Sequence, residues 1–131
     1  MIVVDSSAIV EWLLRLPRAE AVEARLSRQD ETLHAPHFVD VEVAQVLRRL
    51  TPAGAVREER SRQALDDLAD LDLVRHPHDV LLPVVWRLRD NLTAYDGVYV
   101  ALAEVLDAPL LTLDARLAAA PGHRARIEVV G

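Results

Sequence analysis

The chain has 131 residues, a hydrophobic share of 51% and a formal net charge of −6. That length suits one domain, spanning residues 1–131, that buries roughly 70% of the surface its unfolded form exposes. The absence of cysteine excludes a disulfide framework and a thiolate metal site and makes a reducing cytoplasm the simplest home, while the acidic balance counts against a nucleic-acid partner unless carboxylates bind a cation and local arginines supply the rest.

Ile2-Val-Val-Asp5 predicts a short β-branched strand ending on an acid. Ser6 or Ser7 can cap the helix that follows, with Ala8, Ile9, Trp12 and Leu13 on its inner face. Residues 1–16 have no basic start and are broken by Asp5 and Glu11, so they do not read as a signal peptide. No stretch reaches the ~18 apolar residues of a membrane span. Pro17 separates this helix from a charged amphipathic one over about 18–27, and Thr32 to Ala35 predicts a second strand. Phe38 to Leu50 predicts a helix with Val39, Val43, Val46, Leu47 and Leu50 in one stripe and Glu42 beside it. Thr51-Pro52 caps a polar helix reaching about Leu71, with Val56, Leu65 and Leu68 as its apolar contacts. Leu73 to Arg75 is a third strand, and His78 or Asp79 caps a helix to about Arg89 with Pro83 in its first turn.

The most informative stretch is LTAYDGVYVALAEVLDAPLLTLD, from Leu92 to Asp114. Thr93 caps a helix, and Asp96 stands three residues on, where it completes a capping box. Val98, Ala101, Leu102 and Val105 give that helix an apolar face, Asp107-Ala-Pro breaks it, and Leu110 begins a buried strand that ends on Asp114. A short helix then starts at Asp114, and Ile127 to Val130 forms an edge strand. Strands alternating with helices imply a three-layer α/β/α sandwich on a central, mainly parallel sheet of short strands. In such sheets ligands sit outside the carboxyl ends of the strands. Asp5 and Asp114 belong at that edge, and Asp96 and Glu42, each near a helix start, can face it.

Singly, each acid has a plain structural explanation as a cap or a solvated helix residue. Together they would be costly, because two unit charges ~4 Å apart repel by about 4 kcal/mol at an effective dielectric of 20. A gathered set would take up protons or bind a cation. Oxygen-only donors suit Mg²⁺ or Mn²⁺ and not zinc.

The segments IVVDSSAIVEWL, FVDVEVAQVLRRL and LTAYDGVYVALAEVLDAPLLTLDARL resemble the PIN-domain ribonucleases, and within that superfamily the VapC toxins of type II toxin–antitoxin pairs. The resemblance runs from near the first residue to about Leu117; Gly97 departs from it, since Ala is commoner after the motif's Asp. It implies a PIN-like fold and a catalytic acidic site of Asp5, Glu42, Asp96 and Asp114 holding Mg²⁺ or Mn²⁺. It further implies endonucleolytic RNA cleavage leaving a 5′-phosphate and a 3′-hydroxyl, a homodimer, and inhibition by a cognate VapB-type antitoxin. Ser6, Ser7 and Thr112 stand where the family places small hydroxyl residues, as hydrogen-bond donors to the acids or to phosphate. Arg15, Arg87, Arg89 and Arg116 are candidates for RNA or antitoxin contact, with Arg48 and Arg49 assigned to a solvated face or a partner.

Three other classes share part of this pattern. A receiver domain relies on a lysine beside its phosphoryl site, and all fifteen basic residues here are arginine. A haloacid-dehalogenase-type phosphatase needs a second Asp where Ser7 stands. A PIN-like scaffold that binds a partner without cutting remains the alternative. Of the remaining candidates, His34, His37, His76 and His78 flank Pro36 and Pro77 with a spacing that polar loops show without any metal. Tyr95 reads as packing on the helix entry, and Trp12 and Trp86 as core or subunit interface.

Overall fold

A computed structural model describes residues 1–28 and 30–131. The described strands are β1 (Ile2–Val4), β2 (Leu33–Pro36), β3 (Leu73–His76), β4 (Leu110–Thr112) and β5 (Ile127–Val129). The described helices are α1 (Ser6–Leu13), α2 (Ala19–Leu26), α3 (Phe38–Leu50), α4 (Glu58–Asp70), α5 (Leu82–Arg87), α6 (Ala94–Leu106) and α7 (Ala115–Ala119). The sheet order is β3-β2-β1-β4-β5 and every neighbouring pair is parallel, the expected three-layer α/β/α sandwich. The register sets Val3 opposite His34 on one side and Leu110 on the other, so β1 is the central strand. Its Ile2, Val3 and Val4 are at most 1% exposed, which is why this strand reads as an unbroken apolar run and not as an alternation.

The chain steps outward from β1 to β2 and β3, then returns to the other side of β1 through β4. The order therefore reverses between β1 and β4, and that switch point opens a crevice at the carboxyl ends of the two strands. Helix α6 packs on β1, β2 and β4 with α5 against it, and α1 packs on β4 while carrying α2, α3 and α4. No helix among the described residues is long and apolar enough to cross a membrane.

The structure departs from the sequence expectations at several points. Asp5, not Ser6 or Ser7, caps α1, because its carboxylate accepts from the Ala8 amide at 3.1 Å. The segment from Thr51 to Arg57 is a turn and not the start of a helix: Thr51 closes α3 with its hydroxyl on the Leu47 carbonyl, and Gly54 bends at φ +80°. Helix α4 starts only at Glu58, and Leu65 on it is exposed while Ala64 and Leu68 are buried. The helix expected from His78 to Arg89 begins as a tight 3-10 turn at Asp79–Leu81 and ends at Arg87. On α6, burial runs through every residue from Gly97 to Ala103 and leaves Val105 out, because the sheet and α5 cover more than one side of this helix.

Candidate active site

Four elements bring one carboxylate each to the crevice. Asp5 follows β1 and caps α1, and Glu42 sits one turn into α3. Asp96 lies in the first turn of α6, where its amide is held at 3.2 Å by the Thr93 hydroxyl that caps the helix. Asp114, two residues past β4, caps α7 by accepting from the Arg116 amide at 3.0 Å. All four line a single open cleft of about 590 Å³, together with Ser6, Ser7 and Tyr99. Asp5, Asp96 and Asp114 stand at or beside helix N-termini, where unpaired amides and the helix dipole favour negative charge.

The hydrogen bonds show how each acid is aimed. Asp5 is 6% exposed and both of its oxygens are engaged: Oδ1 accepts from Ser7 at 2.6 Å and from the Ala8 amide, and Oδ2 accepts from Thr112 at 2.5 Å. Ser7 also accepts from the Leu113 amide at 3.0 Å, and Thr112 from the Asp114 amide at 3.0 Å, so the two hydroxyls tie α1 to the end of β4. Glu42 is held differently, since Ser6 at 2.6 Å and Tyr99 at 2.7 Å both donate to the same oxygen, Oε1.

Burial pushes the Asp5 carboxyl from 3.8 up to about 6, against the pull of Ser7, Thr112 and Ala8 and with a further push from the charge on Glu42. Asp96 is raised by burial and then by the charges of Glu42 and Asp114. Asp96 thus senses the neighbouring carboxylates across the cleft, with the Arg116 cation pulling the other way. Asp114 is lowered, because the Arg116 guanidinium grips it at 2.6 Å. Arg116 is itself 84% exposed on its side chain, so the pair is a surface one that solvent can open.

Of the candidate arginines, only Arg116 lines the cleft. Arg15 pairs with Glu23, Arg87 forks onto Glu104, and Arg89 lies over the Trp86 ring, 4.7 Å from its centroid. Arg18 and Arg49 line the cleft instead, and neither has an acidic partner among the described residues. The sequence carries no signal for Arg18 and leaves Arg49 to a solvated face or a partner. Tyr99 was passed over as well, although its position three residues after Asp96 sets it on the same helix face. Glu11, buried beside the cleft, accepts from the Arg18 amide at 2.8 Å and so shapes the turn after α1. The histidines serve the fold: His34 Nδ1 meets His76 Nε2 at 2.8 Å, and His78 Nε2 accepts from the Phe38 amide at 2.8 Å. Tyr95 is 64% exposed and packs on Phe38 at 5.5 Å between ring centroids, and Trp86 is 68% exposed, which takes it out of the core.

Among the described residues, no three His, Asp or Glu side chains stand close enough to cage an ion unaided. A Mg²⁺-type site asks for less, since that ion keeps several waters and takes only one or two carboxylates together with substrate phosphate. The donor set fits such an ion: it is made of hard oxygens, the acids repel one another, and no hydrogen bond from the described residues occupies the Oε2 of Glu42.

Over residues 2–122 the chain matches the PIN domain family, and it belongs to that family. Ribonuclease VapC1 of Mycobacterium tuberculosis is 45% identical over 129 residues, covering 98% of this chain and 96% of the relative. Ribonuclease VapC12 of the same organism is 40% identical over 130 residues, covering 99% of each. These relatives set the chain in the VapC branch of the family. Among solved structures, VapBC2 from Rickettsia felis bound to a DNA fragment from their promoter superposes with a TM-score of 0.72 over 100% of both chains at 14% identity, a likeness of fold alone.

Proposed function

We propose that this protein is the toxin of a type II toxin–antitoxin pair, a Mg²⁺- or Mn²⁺-dependent endoribonuclease whose site is Asp5, Glu42, Asp96 and Asp114. The observation that carries the reading is the convergence of four acids from four separate elements on one cleft at the switch point of the sheet. The VapC relatives, both named ribonucleases, support RNA as the substrate. Asp5, Glu42, Asp96 and Asp114 would hold a divalent cation, which would supply Lewis-acid polarisation of a phosphodiester and a water nucleophile at neutral pH. The chain's own groups do the rest. Asp5 and Glu42 are pre-aimed by hydroxyl donors, which removes reorganisation from the reaction. One or more of the carboxylates orients the attacking water, and Arg18, Arg49 and Arg116 on the cleft wall face phosphate charge.

The same reading includes a single domain over residues 1–131, a cytoplasmic homodimer, and a VapB-type antitoxin that covers the cleft; the fold likeness to VapBC2 supports the last. The test is cleavage of structured RNA by purified, antitoxin-free protein with Mn²⁺, beside an Asp5→Ala variant and a chelator control. Cleavage by the native chain alone, lost in chelator, is the expected result. Equal cutting by both proteins, or none by either, points to a scaffold that binds without cutting.

A further inference from the structure

We propose that Tyr99 is a positioning residue for the metal site: its hydroxyl, with that of Ser6, fixes Glu42 through one oxygen and leaves the other free for the cation. The inference rests on the metal-nuclease reading above and names a part of the site that the sequence did not reveal.

Tyr99 is 1% exposed, so its hydroxyl must find a partner within the protein. It finds Glu42 Oε1 at 2.7 Å, and Ser6 reaches the same atom at 2.6 Å. Each carboxylate oxygen accepts through about two lone pairs. Two donors therefore saturate Oε1, and no described side chain or amide donates to Oε2. Asp5 offers a contrast, because both of its oxygens accept hydrogen bonds. Glu42 has the longest side chain of the four acids, with one more rotatable bond than an aspartate, and it is the one whose aim needs fixing. Tyr99 fixes it from α6, Ser6 from α1, and Glu42 itself comes from α3, so one carboxylate oxygen registers three helices around the cleft. Asp96 stands one helical turn before Tyr99, which means that α6 delivers an acid and the group that orients another acid on the same face.

A buried tyrosine that merely satisfies its hydroxyl would look similar, and the two roles separate in solution. Tyr99→Phe keeps the ring and removes only the donor. Mn²⁺ binding is measured by calorimetry on the full chain without RNA, at fixed pH, alongside a thermal melt and the kcat and KM for structured RNA. The expected result is a loss of Mn²⁺ affinity of about tenfold to a hundredfold, the usual consequence of removing a group that orients a metal ligand. The fall in kcat is recovered by excess Mn²⁺ while KM for RNA stays unchanged. In a Glu42→Ala background the same substitution leaves Mn²⁺ affinity where it was, because the two residues act as one unit. Tyr99→Phe that melts earlier yet binds Mn²⁺ like the native chain overturns the proposal, as does an equal loss in the Glu42→Ala background. Should Tyr99→Phe not fold, Ser6→Ala removes the other donor to the same oxygen. A clear loss of Mn²⁺ affinity there supports the proposal, and native affinity overturns it. A native chain that binds no Mn²⁺ at all overturns the metal-site reading itself, an outcome distinct from failure of the Tyr99 variant alone.

Discussion

Asp5→Asn separates the electrostatic state of the site from its catalytic role. Burial holds the Asp5 carboxyl at about 6 in the folded chain against 3.8 when free, a difference worth about 3 kcal/mol. Because the folded value lies above the unfolded one, the folded protein keeps this proton longer. The associated stability is complete below 3.8 and is lost as pH rises through about 6. An asparagine carries no charge at any pH and so avoids the loss. The substitution has its own cost relative to the protonated acid, since the amide N–H turned toward Thr112 forces that hydroxyl from donor to acceptor, about 1–2 kcal/mol. The net gain for the metal-free variant above neutral pH is then about 1–2 kcal/mol, or about 3–8 °C in melting temperature for a chain of this size. Calorimetry in chelator at acid and at mildly alkaline pH reads it directly. The margin should be present in alkali and vanish or reverse near the free carboxyl's range. Mn²⁺ should then raise the melting temperature of the native chain, because it binds only the folded state, and leave the variant unmoved. A variant less stable than the native chain in alkaline chelator, or a margin independent of pH, refutes the reasoning.

Other substitutions probe other parts of the chain. At Gly97 an added Cβ meets only Val85 Cγ1 at 3.7 Å, so Gly97→Ala should raise stability by up to about 1 kcal/mol in a thermal melt; a drop would mean the α5–α6 contact is tighter than it looks. Arg18→Ala with Arg49→Ala, built on Asp5→Ala to prevent cutting, should weaken RNA binding and flatten its salt dependence by about 0.7 per lost phosphate contact in a fluorescence titration. An unchanged slope would remove both residues from the RNA path. Arg116→Ala removes the cation that holds Asp114 below the usual carboxylate range, and Mn²⁺ affinity without RNA should rise in calorimetry; weaker binding would show that the arginine supports the site instead of competing for it. His34 and His76 are both held below the ordinary 6.5, chiefly by burial, so the folded state binds fewer protons than the unfolded one. Their contribution to stability is present above 6.5 and is lost as pH falls through the folded values. Imidazole resonances followed by NMR should titrate below 6.5 for both rings, and midpoints at or above it would contradict the neutral pair.

Much of this was legible along the chain, and the exceptions have physical causes. Helix α3 was predicted residue for residue because its stripe is clean and a strand and a turn bound it. Thr93 was identified as a cap because capping is local, a matter of one hydroxyl and an amide three residues on. The true cap of α1 was missed for a related reason: Asp5, Ser6 and Ser7 all can cap, and only the tertiary tie to Thr112 decides which does. The turn at 51–57 was hidden because Thr51-Pro52 is a sound helix start, and the backbone at Gly54 overrules it. Within the site, the acids announce themselves as polar residues at the ends of apolar runs. Tyr99 and Arg18 do not, since a buried tyrosine and a surface arginine need no function, and their facing the cleft depends on packing between distant helices.

The bond from Thr112 to Asp5 joins residues 107 positions apart. During synthesis β1 emerges well before its second flank and the lock on its terminal acid, which arrive only with β4. A nascent or prematurely terminated polypeptide therefore carries Asp5 and Glu42 without the groups that complete their pocket. The cleft therefore exists as one surface only once β4 has paired with β1, and a ligand that reads it finds nothing complete before then.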